Sequence, residues 1–424
     1  MLSPLNSRLL PGMHIHKEKR DISKGRLPII IASFLIVLIG FTVRTSYGVL
    51  LPEMLPSLQV TKAEAGLIYG VFFMAYTIFS PLVGLLADRI NVQVILPFFL
   101  SILGGGTLLM GYSSSLVESM FFFLLAGIGS SVCWSPVVAL VGRWINDKRR
   151  GVALAFIDVG SPIGIAVSSF IMPLIVTKSS WRMGWKGLGI FALLIAGMSL
   201  FLLKDYAGKP NIQTQKLNIH SNISSSIMYI TIQKNATFWL IGVSYLLIGF
   251  SVLIPQTFMC TYAVQELMLS YSVATKLVTI MALASIVGKL ILGFLSDFYG
   301  RIKVIIICEI LTTIAIFGMV QFHGLLAIYL CMAIYGFSQG AIWPLYAACA
   351  SDYFSKSSTG LVVGFWTLFI GIGFIISPII AGWIADVTGR FMWSFVLAVV
   401  TSIISTVLLF FVRKKVSFAN LERS

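Results

Sequence analysis

The chain has 424 residues, of which 58% are hydrophobic and only 11% are charged, and its formal net charge is +15. Soluble globular domains carry about 25% charged residues, so this composition excludes a soluble multidomain enzyme. It also excludes a disordered chain, because such chains are poor in aliphatic and aromatic residues. The lysines and arginines stand in short segments between apolar runs, which argues against nucleic-acid binding. The composition predicts a protein with many membrane spans.

Apolar runs long enough to cross a bilayer recur along the whole chain. A spanning helix needs about 20 predominantly apolar residues. A polar stretch at 204–235 separates an earlier from a later group of runs, which predicts two helical halves joined by a linker. The predicted spans are 27–55, 64–87, 93–112, 116–142, 151–177, 185–203, 236–263, 272–295, 303–321, 325–351, 358–384 and 391–412.

The basic residues predict the orientation, since Lys and Arg are enriched in cytoplasmic loops. With both termini in the cytoplasm, most cations fall on that side, and only Arg44 and Lys289 are left inside spans at more than four residues from a predicted end. We therefore expect an all-α, multi-pass protein of the plasma (inner) membrane, with twelve helices in two six-helix bundles. The expected divisions are a cytoplasmic tail (1–26), an N-terminal bundle (27–203), a cytoplasmic linker (204–235), a C-terminal bundle (236–412) and a second tail (413–424).

The two halves share residues at a constant spacing. Residues 84–88 read Gly-Leu-Leu-Ala-Asp, and residues 293–297, which begin 209 positions later, read Gly-Phe-Leu-Ser-Asp. A shared spacing for Gly, Asp and Trp indicates a duplication. Duplicated bundles that bind a solute between them are typical of secondary transporters. The same spacing relates Gly127 to Gly336, Trp134 to Trp343, and Gly151 to Gly360.

The repeated segment resembles the signature loop of the major facilitator superfamily, which has the form G-x-L-x-D-[RK]-x-G-[RK]-[RK]. The first copy keeps Arg89 but lacks the later Gly and basic pair, whereas the second copy keeps Gly300 and Arg301. The resemblance implies the twelve-helix fold of that family and a cytoplasmic latch that favours the outward-facing conformation. The implied latch residues are Gly84, Asp88, Arg89, Gly293, Asp297, Gly300 and Arg301.

Narrower features resemble the monocarboxylate and oxalate–formate branch of that family. Arg44 opens an Arg-Thr-Ser-Tyr-Gly-Val run late in the first span, and Lys289 precedes the second loop copy by several residues. This resemblance implies a secondary transporter that moves a small organic anion by alternating access, by proton symport or by anion exchange. A carrier of organophosphates, sugar acids or drugs, and a receptor that no longer transports, are the alternatives.

Ionisable side chains inside spans cost about 2.5–3.5 kcal/mol each on insertion scales, so they are functional candidates. Arg44 and Lys289 come from different halves and are predicted to hold a carboxylate between them, with Arg44 binding through two hydrogen bonds. The alternative is that Asp158 pairs with one of them. Asp158 is accordingly either the proton-coupling residue or a permanent counter-ion. Glu309 is expected to extend toward the cytoplasmic face and to pair there.

Uncharged residues complete the predicted substrate site, namely Tyr47, Trp134, Gln339 and Trp343. The cysteines show no metal-ligand spacing and the four histidines are scattered, so we expect no metal and no cofactor. We found no nucleophile–base pair or phosphate-binding loop, and the chain is not expected to be an enzyme. The expected partners are the organic anion, protons and the lipid bilayer, with no nucleic acid and a monomeric chain.

Overall fold

The computed structural model describes residues 11–145, 147–203, 234–355 and 358–412, and it describes side chains from residue 27 onward except at positions 88, 147 and 148. Most of the predicted linker at 204–235 and the predicted tail at 413–424 therefore lie outside the described residues. Within the described ranges the regular structure is helical. Its helices are α1 (Pro11–Leu58), α2 (Lys62–Arg89), α3 (Val92–Met110), α4 (Leu116–Ser130), α5 (Ser135–Trp144), α6 (Asp147–Asp158), α7 (Gly160–Lys178), α8 (Trp181–Leu202), α9 (Ala236–Gln265), α10 (Tyr271–Tyr299), α11 (Arg301–Gln321), α12 (Leu325–Tyr353), α13 (Thr359–Thr388) and α14 (Met392–Phe410).

These helices form twelve candidate membrane spans, which confirms the predicted number. Helices α4 and α5 together make the fourth span, and α6 and α7 make the fifth. The predicted limits lie within four residues of the observed ones. The largest differences are at the start of the sixth span (Trp181, predicted 185) and at the ends of the eighth (Tyr299, predicted 295) and eleventh (Thr388, predicted 384). Helix α1 begins at Pro11, well before the predicted start of the first span.

The fourth span is interrupted beside a proline. Trp134 has φ −128° and ψ −70°, outside the helical region, and α5 begins at the next residue. Pro136 lacks the backbone N–H that would continue the helical hydrogen-bond ladder. At Trp343, which the repeat relates to Trp134, α12 runs unbroken, although Pro344 follows directly. The two halves therefore differ in backbone at this point, although their sequences match in the Trp.

Glycines related by the repeat make the same helix contact in each half. A Cβ on Gly127 of α4 would overlap the carbonyl oxygen of Phe72 in α2. A Cβ on Gly336 of α12 would likewise overlap the carbonyl oxygen of Met281 in α10. Small residues allow such close approach of membrane helices. The duplication that the sequence indicates is thus also present in the way the helices of each half pack.

The two halves meet most closely on one side of the bilayer. We call the side on which the sixth span ends and the seventh begins the linker face, and the opposite side the far face. Near the far face, both carboxylate oxygens of Asp386 accept hydrogen bonds from the backbone N–H groups of Lys62 (3.0 Å) and Ala63 (2.8 Å) at the start of α2. A Cβ on Gly48 would lie 2.5 Å from the carbonyl oxygen of Gln256. These contacts close the far face.

Toward the linker face the halves separate. A Cβ built on Gly84 or on Gly293, the first residues of the two loop copies, meets no atom within 4 Å. One contact across the halves does lie on this side, between Asp158 at the end of α6 and Lys289 of α10. The described conformation is closed at the far face and opens toward the linker face.

Candidate functional site

Arg44 lies in the middle of the molecule among aromatic rings from both halves. Its guanidinium carbon is 4.7 Å from the ring centre of Phe73 in α2 and 5.0 Å from that of Phe374 in α13. A third ring, that of Phe41, is one turn away on α1 at 5.7 Å. The faces of aromatic rings attract cations, by roughly 2 kcal/mol where the pair is desolvated. The rings therefore fix the guanidinium in place without neutralising it.

No carboxylate among the described side chains forms an ion pair with Arg44. Buried charges in proteins are normally paired, and a guanidinium offers a planar set of donors that matches a carboxylate or a phosphate. Arg44 is only partly buried, so a solute can approach it. The arrangement can bind an anion that comes from outside the protein.

A small cavity lies between the two halves, beside α1 at Thr45, the residue that follows Arg44. Thr45 and Tyr69 line it from the N-terminal half, and Gln256 and Met332 line it from the C-terminal half. The hydroxyl of Tyr69 donates a 3.0 Å hydrogen bond to the carbonyl oxygen of Arg44, which ties α2 to α1 beside this cavity. Polar groups from both halves thus line this cavity, and the side chain of Arg44 is not part of its lining.

Lys289, the other cation predicted to bind the substrate, forms an ion pair with Asp158 in this conformation. Its Nζ atom lies 2.6 Å from Oδ2 of Asp158, and both side chains keep about a fifth of their surface exposed (21% and 23%). The sequence left open whether Arg44 and Lys289 hold a substrate together or whether Asp158 pairs with one of them. In this conformation Asp158 pairs with Lys289. The structure does not bring Lys289 and Arg44 together on a common ligand, and the clamp stays a prediction.

The uncharged site candidates are divided between the cavity and the protein interior. Trp343 packs near the centre, 5.8 Å from Phe374 between ring centres, and Trp134 is 37% exposed at the break in the fourth span. Tyr47 is fully buried and donates a 2.6 Å hydrogen bond to the carbonyl oxygen of Ala65. In this conformation it joins α1 to α2, and its predicted contact with substrate stays a prediction.

Gln339 also lies inside the C-terminal half. It is 5% exposed, and its Nε2 atom donates a 3.1 Å hydrogen bond to the hydroxyl of Thr312 in α11. Its Oε1 atom has no hydrogen-bond partner among the described residues. Its place between α11 and α12 makes it a packing residue here, and a role in substrate binding is untested.

The expectation for Glu309 was wrong. The side chain does not extend to the linker face; it is completely buried in the C-terminal half. Its Oε1 atom accepts hydrogen bonds from the hydroxyl groups of Tyr346 (2.6 Å) and Ser405 (2.9 Å). The spacing from Arg301 and Lys303 suggested a surface pair, but the rotation of α11 turns this side chain toward its neighbouring helices.

Most of the predicted latch residues are exposed or contact only their own half in this conformation. Asp297 is exposed, and Gly300 has φ +89°, a conformation that favours glycine, between α10 and α11. Arg301 pairs with Asp352 at the end of α12 (2.8 Å), within its own half. Arg89 is exposed, and the side chain of Asp88 lies outside the described ones. A latch between the halves stays a prediction.

Two groups of residues at the site were not predicted from the sequence. The phenylalanines around Arg44 carry no sequence signal, because aromatic residues are common throughout spans. Asp386 lies near the end of a predicted span. The sequence does not indicate that it accepts hydrogen bonds from the start of α2, which belongs to the other half. Within the described part of the chain, no group of three or more His, Cys, Asp or Glu side chains could hold a metal ion.

Comparison with known proteins gives relatives over nearly the whole chain. The hexuronate transporter of Bacillus subtilis strain 168 is 23% identical, over 89% of this chain and 92% of its own. The monocarboxylate transporter 12 of Xenopus laevis is also 23% identical, over 93% of this chain and 90% of its own. Each is a transporter by its name.

The fold matches a solved structure. A bacterial homologue of the human lysosomal transporter Spinster, in an inward-facing and unoccupied conformation, superposes with a TM-score of 0.76 at 16% identity, over 92% of this chain and 97% of that one. The family model of the Major Facilitator Superfamily matches residues 33–275 and 241–423. These two matches cover both halves, and the chain belongs to the Major Facilitator Superfamily of membrane transporters.

Proposed function

We propose that this transporter moves a small organic anion, a monocarboxylate or a sugar acid, through the cavity between its two halves. The observation that supports this most is the guanidinium of Arg44, which is held by Phe73 and Phe374 without a carboxylate partner among the described side chains. A fixed, unneutralised cation in a membrane span is costly. A carboxylate ligand would supply the missing charge.

The relatives support the same class of solute. Hexuronates and monocarboxylates, after which the two relatives are named, share a carboxylate group and differ in the rest of the molecule. Arg44 would bind this shared group, and the cavity lining of Thr45, Tyr69 and Gln256 would contact the remainder. An exporter of cationic drugs would instead require unpaired acidic groups beside the cavity.

Alternating access would follow from the contacts between the halves. The conformation closed at the far face is stabilised by Asp386 and the start of α2. In the opposite conformation we propose that the repeated loops at 84–88 and 293–297 form the latch at the linker face. The positive charge of the loops supports a cytoplasmic position for that face. Lys289 would then leave its ion pair with Asp158 and bind the substrate or water. Proton symport is favoured over exchange.

Uptake of radiolabelled acids into proteoliposomes tests this proposal. The purified transporter should take up at least one monocarboxylate or hexuronate, with and without an imposed pH gradient, and unlabelled acid should compete. Labelled organophosphates and a cationic dye serve as the solutes of the alternative carriers. Uptake of one of these, without uptake of any carboxylate, would overturn the proposal.

A further inference from the structure

The C-terminal half contains a buried carboxyl group that the anion site does not use. Glu309 has no exposed surface. Its Oε1 atom accepts from Tyr346 and Ser405, and Ser244 of α9 joins the same cluster through the hydroxyl groups of Tyr346 (2.5 Å) and Ser405 (2.9 Å). Four helices, α9, α11, α12 and α14, thus contribute to the cluster. Helix α14 also brings the hydroxyl of Thr406 near the carboxyl, and that hydroxyl donates to the carbonyl oxygen of Ser402 (2.9 Å). The site is built around a single carboxyl.

Nothing charged balances this carboxyl within the described part of the chain. No lysine, arginine or histidine there forms an ion pair with it. The titratable groups that face it are Tyr346 from α12 and Cys308 beside it on α11, whereas α9 and α14 present only hydroxyl groups. An unpaired carboxylate in such an interior costs far more than the neutral acid. The neutral, proton-bearing form suits these surroundings.

The second carboxyl oxygen strengthens this reading. Oε2 of Glu309 is buried and has no hydrogen-bond partner among the described residues. A purely structural carboxyl would be expected to use both oxygens, because a buried polar atom without a partner destabilises the fold by about 1–3 kcal/mol. Unsatisfied buried groups in native proteins call for a functional explanation. Oε2 is the atom at which a proton can be gained or lost.

A continuous line of ring contacts, one stacked, one tilted and one edge-to-face, connects this cluster to the anion site. The ring of Tyr346 stacks on that of Tyr245 at 4.3 Å between centres, and Tyr245 packs against Trp343 at 6.0 Å. Trp343 contacts Phe374 at 5.8 Å, and Phe374 lies under the guanidinium of Arg44. A shift of Phe374 on anion binding or on rearrangement of the halves would therefore move the tyrosine that holds the carboxyl.

We propose that Glu309 is the proton-binding site of this transporter and that its proton is exchanged in step with anion binding at Arg44. The proposal rests on the proposed organic-anion transport. The carboxylate takes a proton from water on one side of the membrane to form an O–H bond, and it returns the proton to water on the other side. Asp158, which is held in its pair with Lys289, then acts as a counter-ion.

Infrared spectroscopy of the reconstituted protein tests the site without a substrate. The C=O stretch of a protonated carboxyl group should be present in the wild type near neutral pH, should disappear as the pH is raised, and should be missing in Glu309→Gln. The glutamine can still accept from Tyr346 and Ser405. Glu118→Gln, which changes an exposed carboxylate at the start of α4, is the matched control. A spectrum of Glu309→Gln identical to that of the wild type would overturn the proposal.

Transport tests the coupling separately. One pH unit is worth about 1.4 kcal/mol, so a one-proton symporter should concentrate a labelled acid roughly tenfold under that gradient. Glu309→Gln should lose this accumulation and still exchange labelled for unlabelled acid across the membrane. Full accumulation by the variant would contradict a coupling role. If the wild type carries no acid at all, the proposed function fails, and the infrared result still decides whether Glu309 binds a proton.

Discussion

The Nζ atom of Lys289 lies 2.6 Å from Oδ2 of Asp158, and this ion pair joins the C-terminal half to the N-terminal half near the linker face. It is a contact across the halves on the side where they otherwise separate. The same lysine is predicted to hold the substrate together with Arg44. Lys289 can therefore act either as a ligand that Asp158 releases or as the fixed partner of Asp158.

Neutralising this pair distinguishes the two roles. Lys289→Gln should weaken anion binding roughly tenfold or more, because a charge-assisted hydrogen bond contributes about 1.5–3 kcal/mol. If Lys289 contacts the anion, Asp158→Asn should not restore binding to the Lys289→Gln protein. Affinity is measured by competition of unlabelled acid in the uptake assay. Lys289→Arg, which keeps the charge, is the control, and full recovery in the double variant would contradict the clamp.

A second prediction concerns closure of the far face. Asp386→Asn removes the charge that accepts from the backbone of Lys62 and Ala63, and hydrogen bonds to charged groups contribute about 1.5–3 kcal/mol. The variant should therefore populate the conformation open at the far face roughly tenfold more. Spin labels at the exposed Lys178 and Val387, in opposite halves, would report this as a longer distance. An unchanged distance distribution would show that Asp386 does not stabilise closure.

The fold was largely predictable from the sequence, whereas the surroundings of the site were not. Span number depends on local hydropathy, which the sequence states directly, and a cation in a span such as Arg44 stands out against an apolar background. The rings of Phe73 and Phe374 depend on how α2 and α13 meet, which no local pattern encodes. Glu309 was misplaced for the same reason, since the rotation of α11 is set by the packing of its neighbours.

The latch gives a third prediction. Asp297 is exposed in the described conformation, so any contact that it makes with the other half belongs to the opposite conformation. Asp297→Asn should lower the transport rate and leave the thermal midpoint of unfolding in detergent unchanged, because no contact of this conformation is lost. Uptake at wild-type rates would contradict the latch. A lowered midpoint would instead indicate a structural role.

Helix packing gives a fourth prediction. A Cβ on Gly288 of α10 would overlap the carbonyl oxygen of Phe337 in α12, whereas a Cβ on Gly105 of α3 meets no atom within 4 Å. Gly288→Ala should destabilise the protein by about 1–3 kcal/mol, as overpacking does in well-packed cores, and Gly105→Ala should not. Thermal unfolding of the two variants in the same detergent is the measurement. Equal midpoints would show that α10 and α12 separate without cost.

The role of Arg44 as the anion-binding residue is tested most directly by equilibrium affinity for a transported acid. Arg44→Gln should bind that acid roughly tenfold to a hundredfold more weakly than the wild type, because about 1.5–3 kcal/mol of charge-assisted hydrogen bonding is lost. Arg44→Lys should recover only part of the affinity, since a point charge cannot reproduce the planar donors of the guanidinium. Arg390→Gln, at an exposed position on the far face, should bind as the wild type does. Wild-type affinity in Arg44→Gln would contradict the account.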